Sequence, residues 1–189
     1  MAGAQRGCWL RGRGDHAVGG PWPASPAWSG MRAWNQRTAA VADMLNPALL
    51  AALTAAAASE HERRGGDPMP FEFAFLVAPL VLHSDTRAQL PSRVDSHLSR
   101  WVVEHQVLTA GFGARARATV EPVREGIRFG LRTGALELSD ATLIGHLANR
   151  RPARVGDISE IYAKAGFVGR WLTQLESPTT AFALLGVTP

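Results

Sequence analysis

The segment from Phe71 to Pro91 constrains the fold of this chain most strongly. It reads FEFAFLVAPLVLHSDTRAQLP and joins a dense apolar run with an internal proline to a polar turn, an arginine and a second proline. The apolar run is about a dozen residues long, whereas a helix that crosses a bilayer needs roughly 20. The segment is therefore predicted to be an element of the core and not a membrane span.

The length and the cysteine content narrow the class of protein. A chain of 189 residues fits one domain of ordinary size, which needs no disulfides or metal to stabilise it. Cys8 is the single cysteine, so an internal disulfide framework and a multi-cysteine zinc site are excluded. The N-terminus lacks the apolar stretch of a secretory signal. A cytoplasmic location is expected.

The first 30 residues differ from the rest. They are rich in Gly, Pro, Ser and Arg without helical or strand periodicity, so residues 1–30 are predicted to be a disordered extension. Met31 is a candidate start codon, and residues 31–189 form the predicted domain. Of the net charge of +4, this domain carries +2, from 17 basic and 15 acidic residues. Such a nearly neutral domain argues against DNA binding that is driven by charge alone.

The patterns after Met31 are mainly helical. Asn46 and Pro47 provide an N-cap and a first-turn proline for a helix over Ala48–Arg64, which ends at the glycine pair 65–66. Apolar spacing predicts further helices over Ala33–Leu45, Val94–Gln106, Val120–Thr133 and Asp157–Glu176.

Two local details complete this assignment. Phe71–Leu82 is ambiguous between a kinked helix and a strand, but its apolar spacing of 3 to 4 residues favours the helix. Asp85 is predicted to cap the next helix, and Thr119 to cap the helix that starts at Val120.

A small hairpin is predicted after the helix Val120–Thr133, with strands at Ala135–Leu138 and Thr142–Ile144. The order of helix, turn, helix and hairpin from Val94 to Ile144 is the order of a winged-helix domain. The predicted fold is therefore mainly α, a single domain with a winged-helix-like centre and a small β-hairpin.

Motifs for enzymatic chemistry are weak. Gly111–Ala116 matches G-x-G-x-x-A, but no parallel βαβ rhythm follows, and a turn at the start of a helix is the better interpretation. His97 and His105 lack a third metal ligand at a suitable spacing. Serine elbows and a Walker A sequence are absent, and Lys164 is the single lysine. We expect no catalytic activity, no cofactor and no metal.

Three arginines define a candidate DNA-binding stripe. Arg124, Arg128 and Arg132 recur every four residues on the predicted helix Val120–Thr133. Glu121 precedes the stripe and Glu125 lies within it, so a solvated face with ion pairs between neighbouring turns is the alternative.

The segment Lys164–Trp171, KAGFVGRW, departs from helical preference. Each of its two glycines costs about 1 kcal/mol in a helix relative to alanine. Their presence predicts close approach by another backbone or a bulky side chain. Arg170 and Trp171 are of the types enriched at binding hot spots, so both internal helix packing and a partner interface stay open.

Several short blocks together resemble one protein family. They are WNQR at 34–37, LNPA at 45–48, FLVAPLVLH at 75–83, TR at 86–87, LP at 90–91, KA at 164–165, GRW at 169–171 and LGVTP at 185–189. In this order they resemble the middle-component proteins of three-component ABC systems, from Met31 to Pro189.

This resemblance implies a non-catalytic adaptor. It would link an ABC ATPase of the SMC or Rad50 type to an effector, often a nuclease, in bacterial systems similar to the Lamassu type that act against phages and plasmids. Arg87, Lys164, Arg170 and Trp171 fall in its blocks and are the implied partner-binding residues, with DNA contact within the complex as a further expectation. The alternative is a stand-alone winged-helix regulator that binds DNA through the arginine stripe.

Overall fold

Helices dominate the computed structural model, which describes residue 38, residues 43–147 and residues 156–187. The predicted extension and most of the predicted helix Ala33–Leu45 lie outside these residues. The helices are α1 (Pro47–Gly65), α2 (Ala74–Val81), α3 (Ser84–Ala88), α4 (Leu98–Glu104), α5 (Gln106–Ala110), α6 (Phe112–Thr133), α7 (Ile158–Leu172) and α8 (Pro178–Leu184). The strands are β1 (Met69–Pro70), β2 (Leu136–Ser139) and β3 (Thr142–Gly145).

Helix α1 lies at the centre and packs against α2, α6, α7 and the sheet. Its predicted start is confirmed, because the Asn46 side chain accepts a hydrogen bond from the Ala48 amide at 2.8 Å and Pro47 is the first helical residue. Its predicted end is also confirmed, with Gly66 in the left-handed conformation at φ 87°. Most of its buried residues are alanines, and these small side chains allow several elements to pack around one helix.

Two neighbours of α1 approach it so closely that they require glycine. A Cβ atom on Gly169 of α7 would lie 2.0 Å from the carbonyl oxygen of Ala57, and one on Gly145 of β3 would lie 2.1 Å from that of Ala55. Both distances are far below a van der Waals contact. The alanine-rich helix and its glycine partners therefore form one closely packed centre.

The strands form an antiparallel sheet in the order β1-β3-β2. The predicted hairpin is confirmed, and its turn contains Asp140 at φ 53°. Strand β1 was not predicted, because two residues, one of them a proline, carry no period-2 pattern. Met69 of β1 pairs with Leu143 of β3, which is buried.

The segment Phe71–Leu82 is helical, as its apolar spacing predicted, but it begins with a 3-10 turn at Phe71–Phe73 before α2. Helix α2 continues through Pro79, and nearly all of its residues are buried. The predicted cap at Asp85 is wrong. The cap is His83, whose Nδ1 accepts a hydrogen bond from the Thr86 amide at 3.2 Å, and Asp85 lies inside the first turn of α3.

Helix α6 begins at Phe112, so the predicted start at Val120 is wrong. Thr119 does not cap it; its hydroxyl donates to the Ala116 carbonyl at 2.9 Å inside the helix. Pro122 does not interrupt the helix either, although an internal proline costs about 3 kcal/mol. Buried residues before and after Pro122 hold both halves of α6 against the core, and this packing outweighs the local cost.

Two further boundaries differ from expectation. The predicted helix Val94–Gln106 is shorter, because the chain before Leu98 is irregular and α4 breaks at His105, where φ is −125° and ψ is 42°. The predicted helix Asp157–Glu176 ends earlier, at Leu172. The mainly α fold with a hairpin is confirmed, but α5 and α8 were not predicted. The winged-helix arrangement itself stays a prediction.

Candidate functional site

Arg87, expected to bind a partner, is 8% exposed and bonded within the fold. Its Nη1 donates to the Val81 carbonyl at 2.9 Å, and its Nε donates to Glu160 Oε1 at 3.3 Å. Asp157 lies 3.8 Å from its Nη2. Arg87 thus links the end of α2 to the beginning of α7, and a charged group at this depth depends on these partners.

Trp171 is 2% exposed and lies in the core. Its indole Nε1 donates to the Ser96 carbonyl at 2.5 Å. Its ring meets Trp101 edge to face, with the centroids 5.6 Å apart and the planes at 85°. Trp101 in turn donates to the Gln89 carbonyl at 2.7 Å. The tryptophan pair therefore holds the irregular segment between α3 and α4 against α7.

The close approach predicted from the two glycines of α7 is made to α1 of the same chain. Gly169 lies against the Ala57 backbone, and a Cβ on Gly166 would lie 3.1 Å from Cγ of Glu60. Internal helix packing, one of the two interpretations left open by the sequence, is thus present. The partner-binding role of this segment stays a prediction.

Arg170 and Lys164 of α7 are half-buried. Arg170 forms an ion pair with Glu60 of α1 at 2.5 Å, and Arg63 pairs with the same carboxylate. Burial raises the pKa of Glu60, but the hydrogen bonds from Arg63 and Arg170 outweigh burial and lower the pKa below its ordinary value. The Lys164 ammonium lies 5.9 Å from the centre of the Phe167 ring.

The arginine stripe lies on the face of α6 that points away from the core. Arg124 is partly buried and pairs with Glu121 at 2.6 Å, as the alternative interpretation predicted. Arg128 and Arg132 are exposed. Arg117 is also exposed and lies two turns before Arg124 on the same face. Arg117 was not among the predicted residues, because the predicted helix starts only at Val120.

The glycine-rich segment Gly111–Ala116 forms the first turns of α6, as the preferred interpretation predicted. A Cβ on Gly113 would lie 2.5 Å from the Gly186 carbonyl oxygen, so this position packs against the C-terminal turn. The segment serves the packing of two parts of the fold.

Two histidines, His61 and His105, make contacts within the fold. His105 stacks on Trp101 with ring centroids 5.1 Å apart, and its Nδ1 lies 2.8 Å from the Trp101 carbonyl oxygen. Burial lowers the pKa of His61, which is 7% exposed and lies close to the Asp67 carbonyl oxygen. Among residues 43–147 and 156–187, no group of three metal-ligating side chains could hold a metal ion.

Comparison with known proteins gives one match. The family model described as "ABC-three component (ABC-3C) system Middle Component 3" matches residues 34–189. No curated protein and no solved structure matches the chain. Within the described residues, no helix has both the length and the apolar character that a membrane crossing requires.

Proposed function

Because the chain belongs to the Middle Component 3 family of ABC-three component systems, we propose that it is a non-catalytic adaptor between an ABC ATPase and an effector. The match over residues 34–189 is the observation that carries this proposal, since it covers nearly all of the predicted domain. The ATPase, of the SMC or Rad50 type, supplies nucleotide turnover. The effector, often a nuclease, acts on the invading phage or plasmid DNA.

The chemistry of the described residues supports a binding role over a catalytic one. The buried polar groups, such as Arg87 and Trp171, are used in ion pairs and hydrogen bonds between helices. The glycine-rich segment at the start of α6 packs against a turn of the same chain. An adaptor needs a rigid body with exposed contact surfaces, and this packing provides such a body.

Co-expression tests the proposal directly. The chain is co-expressed with the ABC ATPase and the effector encoded beside it, and a tag on this chain is used for purification. We expect a stable complex that contains both partners and survives gel filtration, while the chain alone shows no ATPase, nuclease or protease activity. Failure of the wild-type chain to co-purify with the ATPase would remove the adaptor function.

The exposed arginines on α6 favour a second role, contact with DNA. Arg117, Arg128 and Arg132 lie on one exposed face, and cations aligned along a helix are suited to a phosphate backbone. The test is binding of a short duplex at several salt concentrations by the wild type and by the variant Arg128→Glu/Arg132→Glu. Loss of a salt-dependent affinity in the variant supports DNA contact. Equal binding by both proteins contradicts it.

Binding of the duplex by the chain alone, together with failure to bind the ATPase, would favour the stand-alone regulator. Binding of the duplex only by the assembled complex would favour DNA contact within the adaptor's assembly.

A further inference from the structure

The two most exposed large apolar side chains of the described residues lie next to each other. Val107 is 91% exposed and Val103 is 67% exposed. They lie on either side of the break at His105, and both line the same groove. Single exposed apolar residues are ordinary, but two that line one groove form a candidate contact surface.

A groove of about 890 Å³ lies beside these valines, between α3 and the α4–α5 pair. We call it the α3–α5 groove; its lining includes Asp85, Ala88, Gln89, Val103, Glu104 and Val107. This volume can take several side chains of a partner segment. Its lining combines apolar side chains, among them Val103 and Val107, with polar ones, as in a site for one face of a partner helix.

The charge of the groove indicates the chemistry of its partner. The charged lining residues within the described chain are Asp85 and Glu104, both acidic. Asp85 is exposed, and the one ion pair of Glu104 is with the exposed Arg100 at 3.1 Å. A segment with an apolar anchor and flanking Lys or Arg residues complements such a surface.

A second copy of this chain fits the groove less well. In a two-fold symmetric contact the same patch meets itself, so the acidic rims of two copies would face one another. Like charges at an interface are unfavourable. The partner is therefore a different protein.

The groove is held in shape before any partner binds. The Gln89 carbonyl on one wall accepts the hydrogen bond from Trp101, which belongs to α4 on the other wall. His105 stacks on the same tryptophan at the junction of α4 and α5. Beneath them Trp171 supports Trp101. Such preorganisation lowers the entropic cost of binding.

We propose that the α3–α5 groove is the docking site for the ABC ATPase, and that it binds an amphipathic helical segment with an apolar anchor and basic flanks. The anchor contacts Val103 and Val107, and the basic side chains lie near Asp85 and Glu104. This assignment rests on the adaptor function proposed above. It moves the expected contact from Trp171 itself to the surface that Trp171 supports from beneath.

The test uses the double variant Val103→Glu/Val107→Glu in the full-length chain. Glutamate suits a helix, and both positions are exposed, so the melting temperature should stay close to that of the wild type. The control is Leu138→Glu, which makes the same kind of change, an apolar residue to glutamate, once, at a residue that is 48% exposed on β2. Affinity for the purified ATPase is measured for the three proteins at low and at higher salt.

We expect the double variant to lose at least tenfold in affinity while Leu138→Glu binds as the wild type does. Wild-type binding should also weaken with salt, because part of it is electrostatic. Wild-type affinity in the folded double variant would overturn the docking site and leave the adaptor function intact. Failure of the wild-type chain itself to bind the ATPase would instead overturn the adaptor function.

Two other occupants give distinct results, and each overturns the assignment to the ATPase. If the groove binds the effector, the double variant no longer binds the effector but still binds the ATPase. If it binds a second copy of this chain, gel filtration shows a wild-type dimer that the double variant converts to a monomer.

Discussion

Replacement of Trp171 by alanine should destabilise the isolated protein strongly. The side chain is 2% exposed, and truncation of a buried tryptophan to alanine costs about 3–5 kcal/mol. The loss includes the edge-to-face contact with Trp101 and leaves the Ser96 carbonyl without its indole donor. For a domain of this size about 1 kcal/mol corresponds to roughly 2–4 °C, so the melting temperature should fall by about 6–20 °C.

The assay is thermal unfolding followed by circular dichroism, with Trp171→Phe as the matched variant. Phenylalanine keeps an aromatic ring but removes the N–H donor to Ser96, so its cost should be smaller, about 1–3 kcal/mol. Binding to the ATPase is then measured well below the melting temperature of each variant. The folded protein should bind within a fewfold of the wild type, because Trp171 is not on the surface.

The opposite pattern would refute this reasoning. If Trp171→Ala has the melting temperature of the wild type but no longer binds the ATPase, Trp171 is a binding hot spot on the surface, as its residue type first indicated. In that case the edge-to-face contact with Trp101 contributes little to the fold.

Three further outcomes are expected. Gly169→Ala should destabilise the chain by about 1–3 kcal/mol in urea unfolding, because its Cβ would overlap the Ala57 carbonyl and separate α1 from α7; unchanged stability would contradict this packing. Burial lowers the pKa of His61, so its imidazole binds a proton more readily in the unfolded chain than in the folded one. The stability of the fold should therefore fall as the pH drops below about 6.5, the ordinary pKa of histidine. The lowered pKa of Glu60 adds a further loss at more acidic pH, and His61→Gln should flatten the dependence of the melting temperature between about pH 7 and 5. A chain that starts at Met31 should melt at the wild-type temperature, and a loss of several degrees would show that residues 1–30 stabilise the domain.

Signals within a few residues predicted the fold well. The pair Asn46 and Pro47 predicted the start of α1, and the predicted end of α6 at Thr133 is confirmed, with Gly134 following it at φ 73°. The hairpin with its turn at Asp140 was also predicted. Helix caps and tight turns are set by hydrogen bonds and backbone conformation of neighbouring residues, so the local sequence contains the information that determines them.

Signals that depend on distant residues misled the prediction. Thr119, as a predicted cap, suggested that α6 starts at Val120, but burial of the first half of α6 extends it back to Phe112. Strand β1 exists because β3 pairs with Met69 across the sheet, and the residues around Met69 carry no pattern that predicts this pairing. In both cases long-range packing and pairing outweigh the local preference.

The sequence by itself determined the family, the helical class, the caps and the need for close approach at the glycines of α7. It named the residue types at the candidate site but could not say whether Trp171 and Arg87 face a partner or the core. Tertiary structure decided this, because α4 packs against Trp171 and Glu160 of α7 pairs with Arg87, in each case from a distant position in the chain. It also left Val103 and Val107 exposed, since no element packs over their face of α4 and α5 in the described part of the chain. The exposure of a side chain depends on which other helices pack over it, so the residue pattern of a single helix does not determine it.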